Sequence, residues 1–321
     1  MQCVLDKGRY LHVPFSFWSK VFWVFHGVRV WWFIVSNKID LIDVNYIGLN
    51  SLLAFFLFRR KVSATCWGSD IHSDPKRSML NWLINWIALI QANVIFVCGK
   101  TLSRKLVRTF PFVNESKIVV YSPGVDSRVF SPSEVTTKRK YDFVSTRLVQ
   151  EKYNIHTIIE ALIIARAKGF DFKVAIVVIK PDLNYYSAIK NLIERHLPSS
   201  VDFYDELTPI KLKELYMSSK SSIHLPPNEG IGLSVVESLL CNCIPMVLPH
   251  PAYFDYLSQD EVILVNSATA QDVLRSMEVA VAHEWNMSLD RQLQIIKLHS
   301  AETNLIKNLN VIKRLNFSSG V

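Results

Sequence analysis

Short apolar runs bounded by polar or turn-forming residues recur along the chain, and they are too brief for helices. They predict strands at 41–46, 62–66, 94–97, 118–121, 142–145, 172–179, 201–204, 222–225, 244–248 and 262–265. Helical periodicity fills most of the gaps; Ile155, Ile158, Ile159, Leu162 and Ala165, for example, fall on one face. This alternation is the pattern of parallel sheets covered by helices, an α/β fold. It breaks once, at 122–140, where Pro123, Gly124, Pro132 and the polar run 133–140 predict a linker. The expected organisation is a first domain over 1–122, a linker over 123–140, a second domain over 141–295 and a closing helix over 296–321. Two such blocks face each other across a cleft, and open parallel sheets bind ligands beyond the carboxyl ends of their strands.

One stretch departs from this pattern. Residues 15–34 contain Trp18, Trp23, Trp31 and Trp32 among other apolar residues, interrupted by Lys20, His26 and Arg29. The interruptions argue against a membrane-spanning helix. The polar positions Ser16, Ser19, Lys20, His26 and Gly27 trace a narrow stripe at helical spacing, leaving most of the circumference apolar. Two readings stand: a helix buried over a sheet, or one that also touches lipid, with Arg59, Arg60 and Lys61 or Lys76 and Arg77 near head groups. Each such cation would add about 1 kcal/mol of attraction.

Charge sharpens the second reading. The net charge is +8, with 16 Lys and Arg against 8 Asp and Glu in residues 1–137 and 20 against 20 in the remainder. The excess is therefore N-terminal. No zinc-finger, helix-turn-helix or RNA-binding signature accompanies it, so no nucleic-acid partner is expected. Its aromatic company favours peripheral contact with an anionic membrane. Half of the 321 residues are apolar, enough for two cores. The five cysteines (Cys3, Cys66, Cys98, Cys241, Cys243) are an odd number, and no cleavable signal peptide is evident. Free thiols in a reducing cytoplasm follow. Cys241 and Cys243 read as small packing residues, since no second ligand cluster accompanies them. The nine histidines are scattered, so no metal and no cofactor are expected.

The densest chemistry lies at 226–245, reading PPNEGIGLSVVESLLCNCIP. Gly230 and Gly232 let backbone N–H groups approach a ligand, and the following helix adds the positive end of its dipole, a combination suited to a diphosphate. Glu229 and Glu237 are acceptors for hydroxyls at two ends of one ligand. Ser234 and Glu237 also fit a helix capping box with no ligand involved, and Glu229 a solvated loop.

The block resembles the Glu-x7-Glu signature of the family four glycosyltransferases, retaining enzymes of the GT-B fold. Three further stretches are similar to that family. Arg147-Leu148 followed by Lys152 matches a Gly-Arg-Leu-x-x-x-Lys-Gly element, with Tyr153 in place of the last glycine. Residues 121–132, YSPGVDSRVFSP, are similar to an interdomain Pro-x-Gly-Val-Asp-x-x-x-Phe-x-Pro stretch. Trp67-Gly68-Ser69-Asp70 stands where His-Gly-x-Asp is common, with Trp67 replacing the histidine and His72 carrying no assigned role. The family's opening strand and glycine-rich loop have no counterpart, so the first domain is expected to be shortened.

The resemblance implies a GT-B fold of two Rossmann-like domains, and a nucleoside diphosphate sugar bound mainly by the second. Arg147, Lys152 and the N–H groups of Gly230, Ile231, Gly232 and Leu233 would hold the diphosphate, Glu229 the sugar hydroxyls and Glu237 the ribose. Asp70 reads either as a second catalytic group near the acceptor or as a turn residue bonded to its own backbone. The implied reaction is metal-independent hexosyl transfer with retention to a lipid-linked or polysaccharide hydroxyl. Bacterial surface polysaccharide assembly (O-antigen, capsule or lipopolysaccharide) at the inner face of the cytoplasmic membrane is the implied setting. A nucleotide-sugar epimerase of the same fold and an inactive nucleotide-sugar-binding protein share these signals.

Overall fold

A computed structural model describes residues 32–33, 35–39, 41–48, 61–72, 78–131, 139–283 and 285–317. Most of the aromatic stretch 15–34, the cations Arg59, Arg60, Lys76 and Arg77, Cys3 and the linker residues 132–138 lie outside them.

The first sheet contains β1 (Leu41–Asn45), β2 (Lys61–Cys66), β3 (Val94–Cys98) and β4 (Ile118–Tyr121), parallel and in sequence order. Helices described beside it include the single turn α1 (Ser69–His72), α2 (Met79–Gln91) and α3 (Lys100–Thr109). The run VIFVC of β3 is buried throughout, as a strand covered on both faces must be. Leu89, Ile95, Val97, Leu102, Leu106 and Phe110 form the centre of this core.

The second sheet is wholly parallel, in the order β10-β9-β8-β5-β6-β7. Its strands are β5 (Tyr141–Ser145), β6 (Val174–Val177), β7 (Val201–Tyr204), β8 (Ser219–His224), β9 (Ile244–Val247) and β10 (Ile263–Leu264). Helices α4 (Ile155–Ala167), α5 (Leu183–His196), α6 (Pro209–Met217), α7 (Leu233–Leu240) and α8 (Ala270–Ala282) join or cover them. The expected α4 face, Ile155, Ile158, Ile159, Leu162 and Ala165, is buried. The α/β class expected from the sequence holds, with two parallel sheets. β8 starts three residues before the expected position, lying between β5 and β9, and Ser219 Oγ donates to Leu215 O at 2.8 Å.

The expected closing helix is two helices. α9 (Leu289–His299) ends where α10 (Ala301–Phe317) begins. The break at Ser300 pairs with the linker: Val125 N–H donates to His299 O at 2.7 Å and Ala301 N–H to Val125 O at 3.0 Å. Gly124 has φ +80°, and a Cβ there would lie 2.5 Å from Ala301, so only glycine serves. Helical periodicity runs through the break because the kink comes from this tertiary pairing. The expected boundary at 295/296 accordingly falls inside α9. The four described cysteines are buried and free.

Candidate active site

β5 lies between β6 and β8, so successive connections leave it in opposite directions and open a crevice at its carboxyl end. Arg147 follows β5, Glu229 follows β8 and Tyr253 follows β9. A nitrogen of the Arg147 guanidinium donates to Glu229 Oε2, which Tyr253 OH also approaches at 3.4 Å. Glu229 Oε1 accepts Gly230 N–H at 3.1 Å. Burial opposes the charge of Arg147, but the Glu229 carboxylate more than compensates and raises the guanidinium above its ordinary value. Arg147 Nε is buried with no hydrogen-bond partner among the described residues. Tyr153 spreads beside the cations, its ring 5.9 Å from the Arg147 guanidinium carbon and 5.0 Å from Lys152 Nζ.

Gly232 caps α7 in the left-handed region, φ +64°, with no side-chain cap. The capping box drawn from Ser234 and Glu237 does not form; Ser234 Oγ is 3.4 Å from His224 Nδ1 instead. The N–H groups of Ile231, Gly232 and Leu233 find no acceptor among the described residues, and they lie at the positive end of α7. Glu237 sits one turn into α7. Burial pushes its carboxyl up to about 7, partly offset by Arg147.

The same loop meets the first domain. A Cβ on Gly230 would lie 2.5 Å from Trp67 O, so backbone touches backbone across the cleft. Ile231 packs into the first domain's core, while its carbonyl accepts Tyr256 OH at 2.6 Å. Asp255 accepts Thr101 N–H at 2.7 Å and Thr101 Oγ1 at 3.0 Å, placing a carboxylate at the start of α3. Ile231 is thus a domain contact through its side chain, whatever its amide binds. Beside these contacts opens a cleft of about 550 Å³, bordered by Tyr46, Trp67 and His72 on one side and Lys152, Tyr153 and Glu229 on the other.

Asp70 does not face this cleft. It is fully buried, and its carboxylate accepts N–H groups from Gly68 (2.8 Å), Trp67 (3.1 Å) and Ile47 (3.3 Å). Burial raises the carboxyl above its ordinary value, and the amides offset part of that. With both oxygens occupied by backbone, Asp70 orders the loop that carries Trp67; the expectation of a catalytic carboxylate gives way to the turn reading.

Residues 127–294 match the profile of the family described as glycosyl transferases group 1, which is more than half of the chain. The chain belongs to that family. It is a glycosyltransferase, and its fold is that of solved GT-B enzymes. HepE of Anabaena, solved with UDP and glucose, is 14% identical and superposes with a TM-score of 0.70 over 94% of this chain and 84% of that one. A glycosyltransferase from Rickettsia africae is 17% identical, with a TM-score of 0.74 over 96% and 85%. Sucrose-phosphate synthase from Thermosynechococcus elongatus is 15% identical, with a TM-score of 0.75 over 98% and 83%. No curated protein sequence gives a significant match.

Sequence reasoning passed over Tyr46 and Asn228, which border this glycosyltransferase's cleft, Tyr253, which meets Glu229, and Asp255, which ties the second domain to α3. Tyr46 and Tyr253 had a usable signal, since each follows a strand and must emerge at the carboxyl edge of its sheet. Asp255 had none, because its partner Thr101 belongs to the other domain.

Proposed function

We propose that this glycosyltransferase moves a sugar from a nucleoside diphosphate donor to a hydroxyl of a lipid-linked or polysaccharide acceptor, with retention of anomeric configuration. The observation that carries the reading is the union of Arg147 with Glu229 at the head of α7, beside unpartnered backbone N–H groups. As the glycosidic bond breaks, negative charge accumulates on the leaving diphosphate. In this reading Arg147, Lys152 and the amides of Ile231, Gly232 and Leu233 stabilise it, while Gly230 N–H, expected from the sequence to join them, is taken by Glu229. Glu229 accepts hydrogen bonds from the donor sugar's hydroxyls and Glu237 from the ribose.

The bond from the anomeric carbon to the phosphate oxygen breaks as the acceptor oxygen attacks the same face. The acceptor's proton passes to the leaving oxygen, so no protein base or metal takes part. Covalent catalysis by a glutamate is a different route and is not invoked. HepE structures holding UDP-glucose or UDP support the nucleotide-sugar donor. The first domain's basic balance supports an acceptor presented at the inner face of an anionic membrane, as in bacterial surface polysaccharide assembly.

The test is calorimetric binding of a nucleotide-sugar panel without metal, to the wild type and to Glu229→Ala, followed by transfer onto membrane extract with the product's anomeric configuration read by NMR. Binding that Glu229→Ala weakens, and an α-linked product from an α-linked donor, are expected. Inversion, or binding indifferent to Glu229, would overturn the reading.

A further inference from the structure

Helix α2, MLNWLINWIALIQ, has no charged residue, yet it lies at the surface. Ile84, Ala88 and Leu89 are buried in the core. On the opposite side Leu80, Leu83 and Ile90 are 63%, 40% and 41% exposed, and half-buried Ile87 completes the row at helical spacing. A surface helix ordinarily carries charge on that side. The helix is firmly seated: Trp82 and Trp86 stack with ring centroids 6.0 Å apart, and Trp82 Nε1 donates to Thr109 O at 3.1 Å. The exposed apolar row is therefore a fixed feature rather than a frayed end.

Its neighbourhood is basic. Between residues 78 and 117 the chain holds Lys100, Arg104, Lys105, Arg108 and Lys117 against the single anion Glu115. Arg104 turns to Asp255 in the other domain. Arg108 adjoins Thr109, to which Trp82 is tied, and Lys117 Nζ caps the far end of α2 through Ala92 O at 2.9 Å. No described helix is long and apolar enough to cross a membrane, so contact with lipid here would lie in the plane of the interface.

We propose that the exposed row of α2 is the docking face for an anionic bilayer, with Arg108 and Lys117 meeting lipid phosphates beside it. Charge complementarity selects this occupant over a second copy of the chain. A two-fold interface would set the same cations against one another, whereas anionic head groups neutralise them. The docking face is coupled to the cleft: buried Asn85 donates to Asp70 O at 2.9 Å, fixing α2 to the loop that carries Trp67. Resting on the function proposed above, this narrows the acceptor to one carried by a lipid, whose hydroxyl lies at the membrane surface.

The experiment is co-sedimentation of the full chain with phosphatidylcholine vesicles, with and without phosphatidylglycerol, for the wild type, L80S/L83S/I90S and R108E. These side chains are exposed, and circular dichroism checks that the variants fold. The wild type should bind phosphatidylglycerol vesicles in a salt-sensitive manner, with the triple variant weaker by about tenfold or more. R108E should also bind more weakly. Undiminished binding by the triple variant, or none by the wild type, would overturn the proposal. So would wild-type self-association that the triple variant abolishes without any vesicle binding. Nucleotide-sugar affinity, measured on the same preparations, should be equal in wild type and triple variant. Vesicle binding without donor binding would sink the donor reading and leave the docking face standing.

Discussion

Asp255 Oδ2 accepts the backbone N–H of Thr101 at 2.7 Å, joining a loop of the second domain to the first turn of a helix in the first. The carboxylate supplies an acceptor to an N-terminal amide and favours the helix dipole, as a good N-cap does. Helix α3 begins at Gly99 with no side-chain cap of its own, so the cap arrives from the other domain. Asp255→Ala should cost about 1 kcal/mol and loosen the domain contact. Thermal melting and proteolysis of the inter-domain segment would show it; an unchanged melting temperature with unchanged cleavage would argue against the contact in solution.

Gly230→Ala tests the closeness of the two loops. The added methyl meets Trp67 O at 2.5 Å, and backbone on both sides leaves neither partner free to yield. The loops should part, and turnover should fall roughly a hundredfold through misplacement of the amides and Glu229. Steady-state kinetics beside a melting curve separates this from simple unfolding.

Arg147→Ala removes the charge proposed to face the leaving group and strands Glu229 in a partly buried site. Transition-state stabilisation of roughly 3 kcal/mol should be lost, seen mainly in kcat. Near-normal turnover would remove Arg147 from the mechanism. Pairing it with Glu229→Ala in a double-mutant cycle should show strong coupling in stability, since each single variant leaves an unpaired partner.

Glu237 predicts a pH dependence of definite sign. Burial raises its carboxyl to about 7 from an ordinary 4.5, so the folded protein holds this proton more tightly than the unfolded chain. The contribution to stability is complete below about 4.5 and is lost as pH rises through about 7. Holding a ribose through ionised oxygens has the opposite trend, so donor affinity should rise over the same window. Glu237→Gln should flatten both profiles; a variant that keeps the wild-type pH dependence of donor affinity would assign that titration elsewhere.

Asp70 distinguishes structure from catalysis. Its oxygens accept three backbone amides, so Asp70→Ala leaves those donors buried and unpaired, at a cost of about 1–3 kcal/mol or more. Turnover should fall in step with stability. Full stability with abolished turnover would restore a catalytic role.

The sequence by itself determined the alternation of strands and helices, and with it two parallel sheets and a cleft at their carboxyl ends. These are local properties, because β-branched runs and helical periodicity report on neighbours in the chain. It also determined which residue types gather after β5 and β8, since a strand's end fixes where the next residues emerge. Tertiary structure alone decided what those residues meet. Asp70 turned inward because loop amides lay within reach of both its oxygens. Ile231 became a domain contact because the first domain's core lay opposite it. The terminal helix broke at Ser300 because Val125, from the linker, claimed the backbone groups there. Each outcome depends on contacts between residues far apart in the chain, to which the spacing of apolar and polar positions is blind.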